Sequence, residues 1–263
     1  MDVRIALAPQ YEFLRGYIQE IPISFNLMGN VIHDSRNVIR VDTQHNIKLV
    51  IKSYQHIYLF NRFCYATLRP SKAKRAFIHA KRLIDNGFMT PEPIAYIECI
   101  EGYQLRDSYF ICAYTDYHQL QDMFGLPATE QQHILNRLAG FTYRLHQRNI
   151  YHKDYSVSNI LYKKNGDEYD FELVDNNRIK FSRESFDYRM KNLRRLDLPL
   201  SLLSFFCLQY AEVSGENDLL ALATLLSYRK NRLINVYRKT KMKQLLRQLP
   251  VLSGPAKLRP NEM

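Results

Sequence analysis

The chain has 263 residues, 46% of them hydrophobic and 24% charged, a composition that excludes a disordered or fibrous protein and allows a sizeable core. Its four cysteines are widely spaced and form no CxxC pair, which argues against a disulfide framework and a zinc site. The net charge of +11 is concentrated in one segment, since Leu219 to Asn261 contains ten Lys and Arg residues and no Asp or Glu, and this asymmetry indicates an anionic partner.

The sequence predicts neither a signal peptide nor a membrane span. Asp2 interrupts the short apolar start of the chain. The longest apolar segments, near Leu198–Ala211 and Leu219–Leu226, fall short of the roughly 20 residues that a spanning helix needs. We therefore expect a soluble or peripheral protein, and the cysteine usage favours the reducing cytoplasm.

The first part of the chain is predicted to form an antiparallel sheet. Val31–Arg40 and Ile47–Ser53 have strand patterns, as do Ile94–Ile100 and Ser108–Tyr114. Residues 1–29 contain a possible short strand and a possible helix of unassigned role. Lys52 ends a buried strand and needs an anionic partner, which the phosphates of a nucleotide could supply. The alternative is an edge-strand lysine in solvent.

One amphipathic helix is predicted within this half, between Ser71 as N-cap and Gly87 as C-terminal stop. It contains no Glu, and its only acid is Asp85 in the last turn. Its apolar face has helical spacing and consists of Ala73, Ala76, Phe77, Ala80, Leu83 and Ile84.

The second half is predicted to be mostly helical. Thr129-Glu-Gln-Gln132 has the form of a capping box, and the helix that it opens carries an apolar stripe and ends near Gln147. That stripe consists of Ile134, Leu138, Phe141 and Leu145. Further helical patterns cover Glu184–Leu196, Leu198–Tyr210, Asp218–Tyr228 and Leu233–Leu249.

A polar loop between the first of these helices and a predicted hairpin carries the most informative motif. His152, Asp154 and Asn159 have the spacing H-x-D-x-x-x-x-N. The hairpin turns at Asn165–Asp167, and its second strand ends at Asp175.

This layout suits phosphoryl transfer. One carboxylate, Asp154, orients the attacking hydroxyl, while Asn159 and a second carboxylate, Asp175, hold Mg²⁺ against the phosphates of a nucleotide. The alternative is a polar turn in which Asp154 caps and Asn159 turns the chain, but that reading leaves Asp175 unexplained.

Three segments resemble the lipopolysaccharide kinase family, which has a protein-kinase-like fold and phosphorylates the inner-core sugars Kdo and heptose. They are the loop at 152–159, the strand end Val174-Asp175 and the segment Gly87-x-x-Thr-Pro-Glu-Pro93. The resemblance extends from about Tyr11 to about Tyr210. It implies a two-lobe α+β fold, in which residues 1–113 form a sheet lobe with one main helix and residues 114–263 form a mostly helical lobe.

The resemblance also implies ATP and Mg²⁺ as cofactors. Lys52 then contacts the phosphates of ATP, and His152 braces the catalytic loop. Arg36 or nearby backbone amides are candidates for covering the phosphates, because no Gly-rich loop is present; the alternative is a solvated hairpin tip. A hinge at Ala113–Tyr117 places Tyr114 and Thr115 against the adenine.

The chain departs from protein kinases at three points. The predicted helix lacks the Glu that pairs with the strand lysine, and Ala76 stands about where it is expected. Lys153 replaces the arginine of H-R-D, and Asp175-Asn-Asn replaces D-F-G. We therefore expect no phosphorylation switch, and a small or glycolipid acceptor.

The function predicted is ATP-dependent phosphorylation of a Kdo or heptose hydroxyl at the cytoplasmic face of the inner membrane. The alternatives are a kinase for a soluble sugar or aminoglycoside and a non-catalytic kinase-like binding module. Nucleic acid is not an expected partner, because that reading rests on charge alone.

Two basic regions are assigned to the anionic glycolipid and the membrane. Arg189, Lys191, Arg194 and Arg195 form a possible clamp for the acceptor, or else a solvated helix face. The basic cluster at 229–247 is expected to pack its apolar side on the lobe and to be attracted to an anionic membrane surface.

Overall fold

The computed structural model describes residues 1–35, 37–54, 63–65 and 69–248. Arg36, a candidate phosphate ligand, therefore lies outside the described residues.

Six strands of the described residues form one antiparallel sheet with the order β1-β5-β6-β4-β3-β2. The predicted strand Val31–Arg40 is in fact two strands, Asn30–Asp34 and Val38–Gln44, which pair as a hairpin. The possible short strand predicted in the N-terminal segment is confirmed, and it lies at an edge of this sheet. The strands are β1 (Asp2–Leu7), β2 (Asn30–Asp34), β3 (Val38–Gln44), β4 (Ile47–Ser53), β5 (Pro93–Glu101) and β6 (Gln104–Ala113).

Helices cover both faces of this sheet. Helix α1 (Arg15–Ser24) packs in a core with Leu49 and Ile51 of β4. Helix α2 (Lys72–Asp85) packs on the opposite face, towards which Val50 points. Because side chains alternate along a strand, this placement directs Lys52 to the face that carries α2.

Helix α2 begins and ends as predicted. The Ser71 hydroxyl accepts a hydrogen bond from the Lys74 N–H at 3.0 Å, and Gly87 adopts a positive φ of 78° directly after the helix. Of its predicted apolar face, Ile84 is exposed, because it lies in the last turn beyond the sheet. Leu83 instead joins the core of the second half of the chain.

The described residues of the second half contain four α-helices, which contribute to a second core. They are α3 (Ala128–Gln147), α4 (Phe186–Leu193), α5 (Leu200–Ser214) and α6 (Asp218–Gln248). The apolar stripe predicted for α3 is buried in that core, as expected. The capping box is not formed: α3 begins at Ala128 with Pro127 as N-cap, and Glu130 bonds Tyr169 and Lys164 instead.

Helix α6 differs most from the prediction. It is one continuous helix, because the run at 229–232 contains no Gly or Pro to break it. The expected packing of its second part on the lobe is wrong, since Leu233, Val236 and Tyr237 are 52%, 51% and 66% exposed. No helix among the described residues has the length and apolarity needed to cross a membrane.

Two small sheets position the loop predicted to be catalytic, residues 153–159, which is called the catalytic loop below. β7 (His118–Gln119) and β10 (Glu168–Leu173) both pair with β9 (Ile160–Asn165), while β8 (Ile150–His152) pairs with β11 (Ile179–Phe181). The loop that carries Asp154 and Asn159 joins β8 to β9, and the turn that carries Asp175 joins β10 to β11. The predicted motif residues are therefore neighbours at one end of these strands.

Candidate active site

His152 fixes the start of the catalytic loop. Its buried ring donates a hydrogen bond from Nε2 to the Val174 carbonyl at 3.0 Å, and its Nδ1 accepts one from the Asp154 N–H at 3.2 Å. The bond accepted at Nδ1 requires the neutral ring, and burial lowers the pKa of His152 despite the nearby Asp175 carboxylate. The geometry is that of a brace between the loop and the strand end.

A second chain of hydrogen bonds joins Asp154 to the same strand end. The Asn159 Nδ2 donates to the Asp154 carbonyl at 2.9 Å, and the Asn159 carbonyl accepts from the Val174 N–H at 3.0 Å. Because its amide nitrogen is committed, the Oδ1 of Asn159 is the side-chain atom left to bind a cation.

Two arginines contact the Asp154 carboxylate. Arg195 Nη1 lies 2.7 Å from Oδ1, and Arg178 Nη1 lies 3.5 Å from Oδ2. The Asp154 side chain is 32% exposed, so an acceptor hydroxyl can reach it from solvent. Arg178, which ends the turn after Asp175, thus forms an ion pair with Asp154.

Asp175 and Lys52 form a direct ion pair. The Lys52 Nζ lies 2.5 Å from the Asp175 Oδ1, and the same oxygen accepts from the Asn177 Nδ2 at 2.7 Å. Burial alone would raise the pKa of Asp175, but the Lys52 ammonium outweighs it and lowers that pKa below its ordinary value. The Asp175 carboxylate is therefore ionised and keeps Oδ2 for a cation.

Helix α2 supplies no carboxylate to this pair. Ala76, at the expected position, is buried in the sheet core. The helix reaches the Asp175 turn through His79 instead, whose Nδ1 lies 2.7 Å from the Asn176 carbonyl oxygen. Burial lowers the pKa of His79, which favours the neutral ring as a donor to that carbonyl. Asp175 thus stands in for the missing Glu as the partner of Lys52.

The segment between α2 and β5 anchors the Asp175 turn. The buried Thr90 hydroxyl donates to the Leu173 carbonyl at 2.7 Å and accepts from the Asn176 Nδ2 at 2.7 Å. The adjacent Met89 pairs with Glu172 in an isolated parallel bridge. Through these two hydrogen bonds the Thr-Pro motif anchors the end of β10 and the turn that carries Asp175.

The predicted hinge is only partly open to a nucleobase. The Tyr114 N–H donates to the Lys48 carbonyl at 2.9 Å, so it is committed to β4 and cannot pair with adenine. The Thr115 hydroxyl bonds Glu172, whose Oε2 is buried with no hydrogen-bond partner among the described residues. An amino group, such as that of adenine, would satisfy this oxygen. Glu172 was not identified from the sequence.

The residues present also fit Mg²⁺. Asn159 Oδ1 and Asp175 Oδ2 are hard oxygen donors, and Mg²⁺ commonly takes one or two protein ligands and completes its shell with phosphates and water. Among the described residues no group of three His, Cys, Asp or Glu side chains could hold a metal.

A basic cleft borders the site on the side of α2. It has a cavity volume of about 530 Å³, and six Lys and Arg side chains line it. This "α2 cleft" contains Arg69, Lys72, Arg75, Lys153, Arg178 and Arg195. The sequence carried a signal for it that was overlooked: no Asp or Glu occurs from Thr43 to Ile84, where nine Lys and Arg residues stand.

The predicted clamp on the following helix is only partly formed. Arg195 lines the α2 cleft, whereas Arg189 is paired with Glu216 and packed near Tyr210. Arg194 lies over the Tyr228 ring at 6.0 Å. Arg189 and Arg194 therefore hold α4 to its neighbours, because their partners are on α5, the loop after it and α6.

Comparison with known proteins identifies a family and a fold. The model of the lipopolysaccharide kinase (Kdo/WaaP) family matches residues 43–214, which include Lys52, the catalytic loop and Asp175. No curated protein matches the sequence. A solved structure of WaaP in complex with acyl carrier protein is 16% identical with a TM-score of 0.61, and the match covers 89% of this chain and 99% of that chain. This similarity confirms the two-lobe kinase-like fold.

Proposed function

Because the chain belongs to the lipopolysaccharide kinase (Kdo/WaaP) family, we propose that it phosphorylates a Kdo or heptose hydroxyl of the lipopolysaccharide inner core, with ATP as donor and Mg²⁺ as cation. Family membership makes the chain a phosphotransferase that acts on a sugar hydroxyl. The binding-module alternative is therefore set aside, and the proposal concerns the sugar, the cofactors and the roles of the residues.

One observation carries the assignment of roles. A continuous set of hydrogen bonds links Asp154 through Asn159 to Val174, and the next residue, Asp175, holds Lys52. The residue that orients a hydroxyl, the oxygens that suit Mg²⁺ and the cation that suits phosphates are thus fixed to one another. Positioning of this kind accounts for most of the rate enhancement in phosphoryl transfer.

In the proposed mechanism Asp154 accepts a hydrogen bond from the acceptor hydroxyl and aims its oxygen at the γ-phosphate. Lys52 transfers part of its contact from Asp175 to the α- and β-phosphates. Asn159 and Asp175 would hold Mg²⁺, which would supply positive charge against the phosphates. His152 moves no proton, because both of its nitrogens are committed to the backbone.

The exposed second part of α6 favours a glycolipid acceptor over a soluble sugar or aminoglycoside. Its apolar residues Leu233, Val236 and Tyr237 stand in solvent among basic residues. A helix of this kind can lie on an anionic bilayer with its lysines towards the headgroups. On this ground we propose that the protein acts at an anionic membrane surface, and its proposed use of ATP favours the cytoplasmic face of the inner membrane.

The test is transfer of label from γ-labelled ATP, with Mg²⁺, to two purified acceptors, lipid A bearing Kdo only and lipid A bearing Kdo and heptose. Label in the first indicates Kdo, and label that requires heptose is then mapped to its ring by mass spectrometry. Label in neither, but in a soluble sugar or aminoglycoside, would overturn the proposal.

The same assay tests Asp154. We expect Asp154→Asn to lower turnover by about a hundredfold or more, with ATP affinity retained. Asp167→Asn is the matched control, because Asp167 is exposed in the hairpin turn and contacts no site residue. Turnover of Asp154→Asn within a few-fold of the control would exclude Asp154 as the residue that orients the acceptor hydroxyl.

A further inference from the structure

The described lining of the α2 cleft is strongly basic. Six Lys and Arg side chains line it, and no carboxylate is among the described lining residues. The cations come from distant parts of the chain: Arg69, Lys72 and Arg75 lie at α2, Lys153 lies in the catalytic loop, and Arg178 and Arg195 follow it. Tertiary structure therefore gathers like charges that repel one another, an arrangement typical of an anion site.

Arg75 shows the electrostatic cost of this arrangement. Burial lowers the pKa of Arg75, and the nearby Arg69 guanidinium lowers it further. A bound anion would reverse both effects, because it replaces lost hydration and offsets the repulsion between the two guanidinium groups.

The cleft is separate from the residues assigned to the nucleotide. Lys52, Tyr114, Thr115 and Glu172 are not among its lining residues. It does adjoin the acceptor side of the site, since Arg178 and Arg195 line the cleft and also contact Asp154.

From this geometry we propose that the α2 cleft binds a phosphate group already present on the acceptor, close to the hydroxyl that is phosphorylated. This inference rests on the proposed function and narrows its substrate to a phosphorylated sugar. The volume of about 530 Å³ is large enough for one sugar ring with its phosphate.

Binding of that phosphate also changes the state of Asp154. The ion pairs of Asp154 with Arg178 and Arg195 are partly exposed and therefore weak, whereas a phosphate dianion offers the same arginines a stronger partner. The arginines turn towards the phosphate, and the Asp154 carboxylate becomes available to the acceptor hydroxyl. An acceptor that carries this phosphate therefore makes Asp154 available for its own phosphorylation.

The central test compares wild type with Arg75→Gln on two acceptors, the intact glycolipid and the same glycolipid after chemical dephosphorylation. We expect Arg75→Gln to raise the KM of the intact acceptor about tenfold or more and to leave the Kd of ATP within about twofold. Wild type should prefer the intact acceptor, and the variant should lose most of that preference.

Two further variants separate charge from folding. Arg75→Lys keeps the charge and should recover much of the affinity for the intact acceptor. Lys81→Gln removes a charge from the same helix outside the cleft and should behave like wild type. An unchanged acceptor KM in Arg75→Gln, or a loss of ATP affinity instead, would overturn the inference, the second outcome assigning the cleft to the nucleotide phosphates.

A binding experiment without turnover distinguishes a failure of the proposed anion site from a failure of the proposed function. Calorimetric titration with inorganic phosphate, in the absence of nucleotide, should show binding to wild type that is weaker in Arg75→Gln. If label transfer to every glycolipid fails but this difference is seen, the function proposed above is wrong and the anion site stands. If transfer succeeds but phosphate binding does not differ, the anion site is wrong and the function stands.

Discussion

Lys52 and Asp175, 123 positions apart in the sequence, form an ion pair with 2.5 Å between Nζ and Oδ1, and this pair joins the sheet of the first half to the catalytic strands of the second. Both side chains are mostly buried, with 14% and 25% exposure. The pair occupies the place where a helix Glu was expected. The Asp that is proposed to bind Mg²⁺ also holds the lysine that is proposed to bind phosphate.

Removal of Lys52 should therefore affect stability as well as nucleotide binding. We expect Lys52→Met to lower the free energy of unfolding by about 3 kcal/mol, because it leaves the Asp175 carboxylate buried without a cation. Urea unfolding measures this change. The control is Lys48→Met, on the same strand but in contact with the Tyr114 ring instead of a carboxylate.

A double variant separates the ion pair from lost packing. Lys52→Met combined with Asp175→Asn removes both charges and should recover more than half of the stability lost in Lys52→Met. If the losses of the two single variants simply add, the ion pair does not couple the two halves of the chain.

Thr90 should prove important for turnover although it lies outside the reacting groups. Thr90→Val keeps the shape of the side chain but leaves the Leu173 carbonyl and the Asn176 amide without their bonds. We expect a loss of about 1 to 3 kcal/mol in unfolding free energy and a lower kcat, because the Asp175 turn loosens. Thr90→Ser keeps the hydroxyl and should remain close to wild type; equal losses in both variants would exclude the hydrogen bonds as the cause.

The stability of the protein should fall below neutral pH, and His146 contributes to that fall. Its ring accepts from the Tyr210 hydroxyl at 2.8 Å and donates to the Asn192 Oδ1 at 3.2 Å, and Asn192 in turn holds the His152 carbonyl. Burial lowers the pKa of His146 to about 3, from 6.5. Between pH 6.5 and about 3 the unfolded chain therefore binds a proton at His146 that the folded chain does not bind.

The sign follows from linkage. Stability is lost as the pH falls from 6.5 towards 3, by up to about 1.4 kcal/mol per pH unit from this group. Urea unfolding of His146→Gln should give a flatter profile between pH 6.5 and 4, although His79 and His152 contribute in the same direction. A profile parallel to that of wild type would contradict the neutral, buried state of His146.

The exposed part of α6 should bind anionic bilayers. We expect the combined substitutions Lys239→Gln, Lys241→Gln and Lys243→Gln to weaken partition onto vesicles with anionic lipid about a hundredfold, at roughly 1 kcal/mol per lysine. Sedimentation with vesicles measures the partition, and zwitterionic vesicles are the control. Binding that is equally strong without these lysines, or on zwitterionic lipid, would exclude an electrostatic membrane surface.

The sequence by itself determined most of the elements and the order of the predicted site residues, but not the division of Val31–Arg40 into two strands or the continuity of α6. Local signals were sufficient for these features: the Ser71 cap, the Gly87 stop, the apolar stripe of α3, and the hairpin that ends at Asp175. They depend on residues a few positions apart, so periodicity and capping chemistry reveal them.

Only the tertiary structure decided which charges meet. Asp175 as the partner of Lys52, Thr90 as the anchor of the Asp175 turn, and the six cations of the α2 cleft all depend on contacts between distant segments. Tertiary structure also decided that the second part of α6 is exposed. A helix with both apolar and basic residues can either pack on its own lobe or face solvent. The helical pattern alone does not distinguish packing on the lobe from exposure to solvent. The outcome depends on whether α3 and α5 already cover the apolar surface of the core.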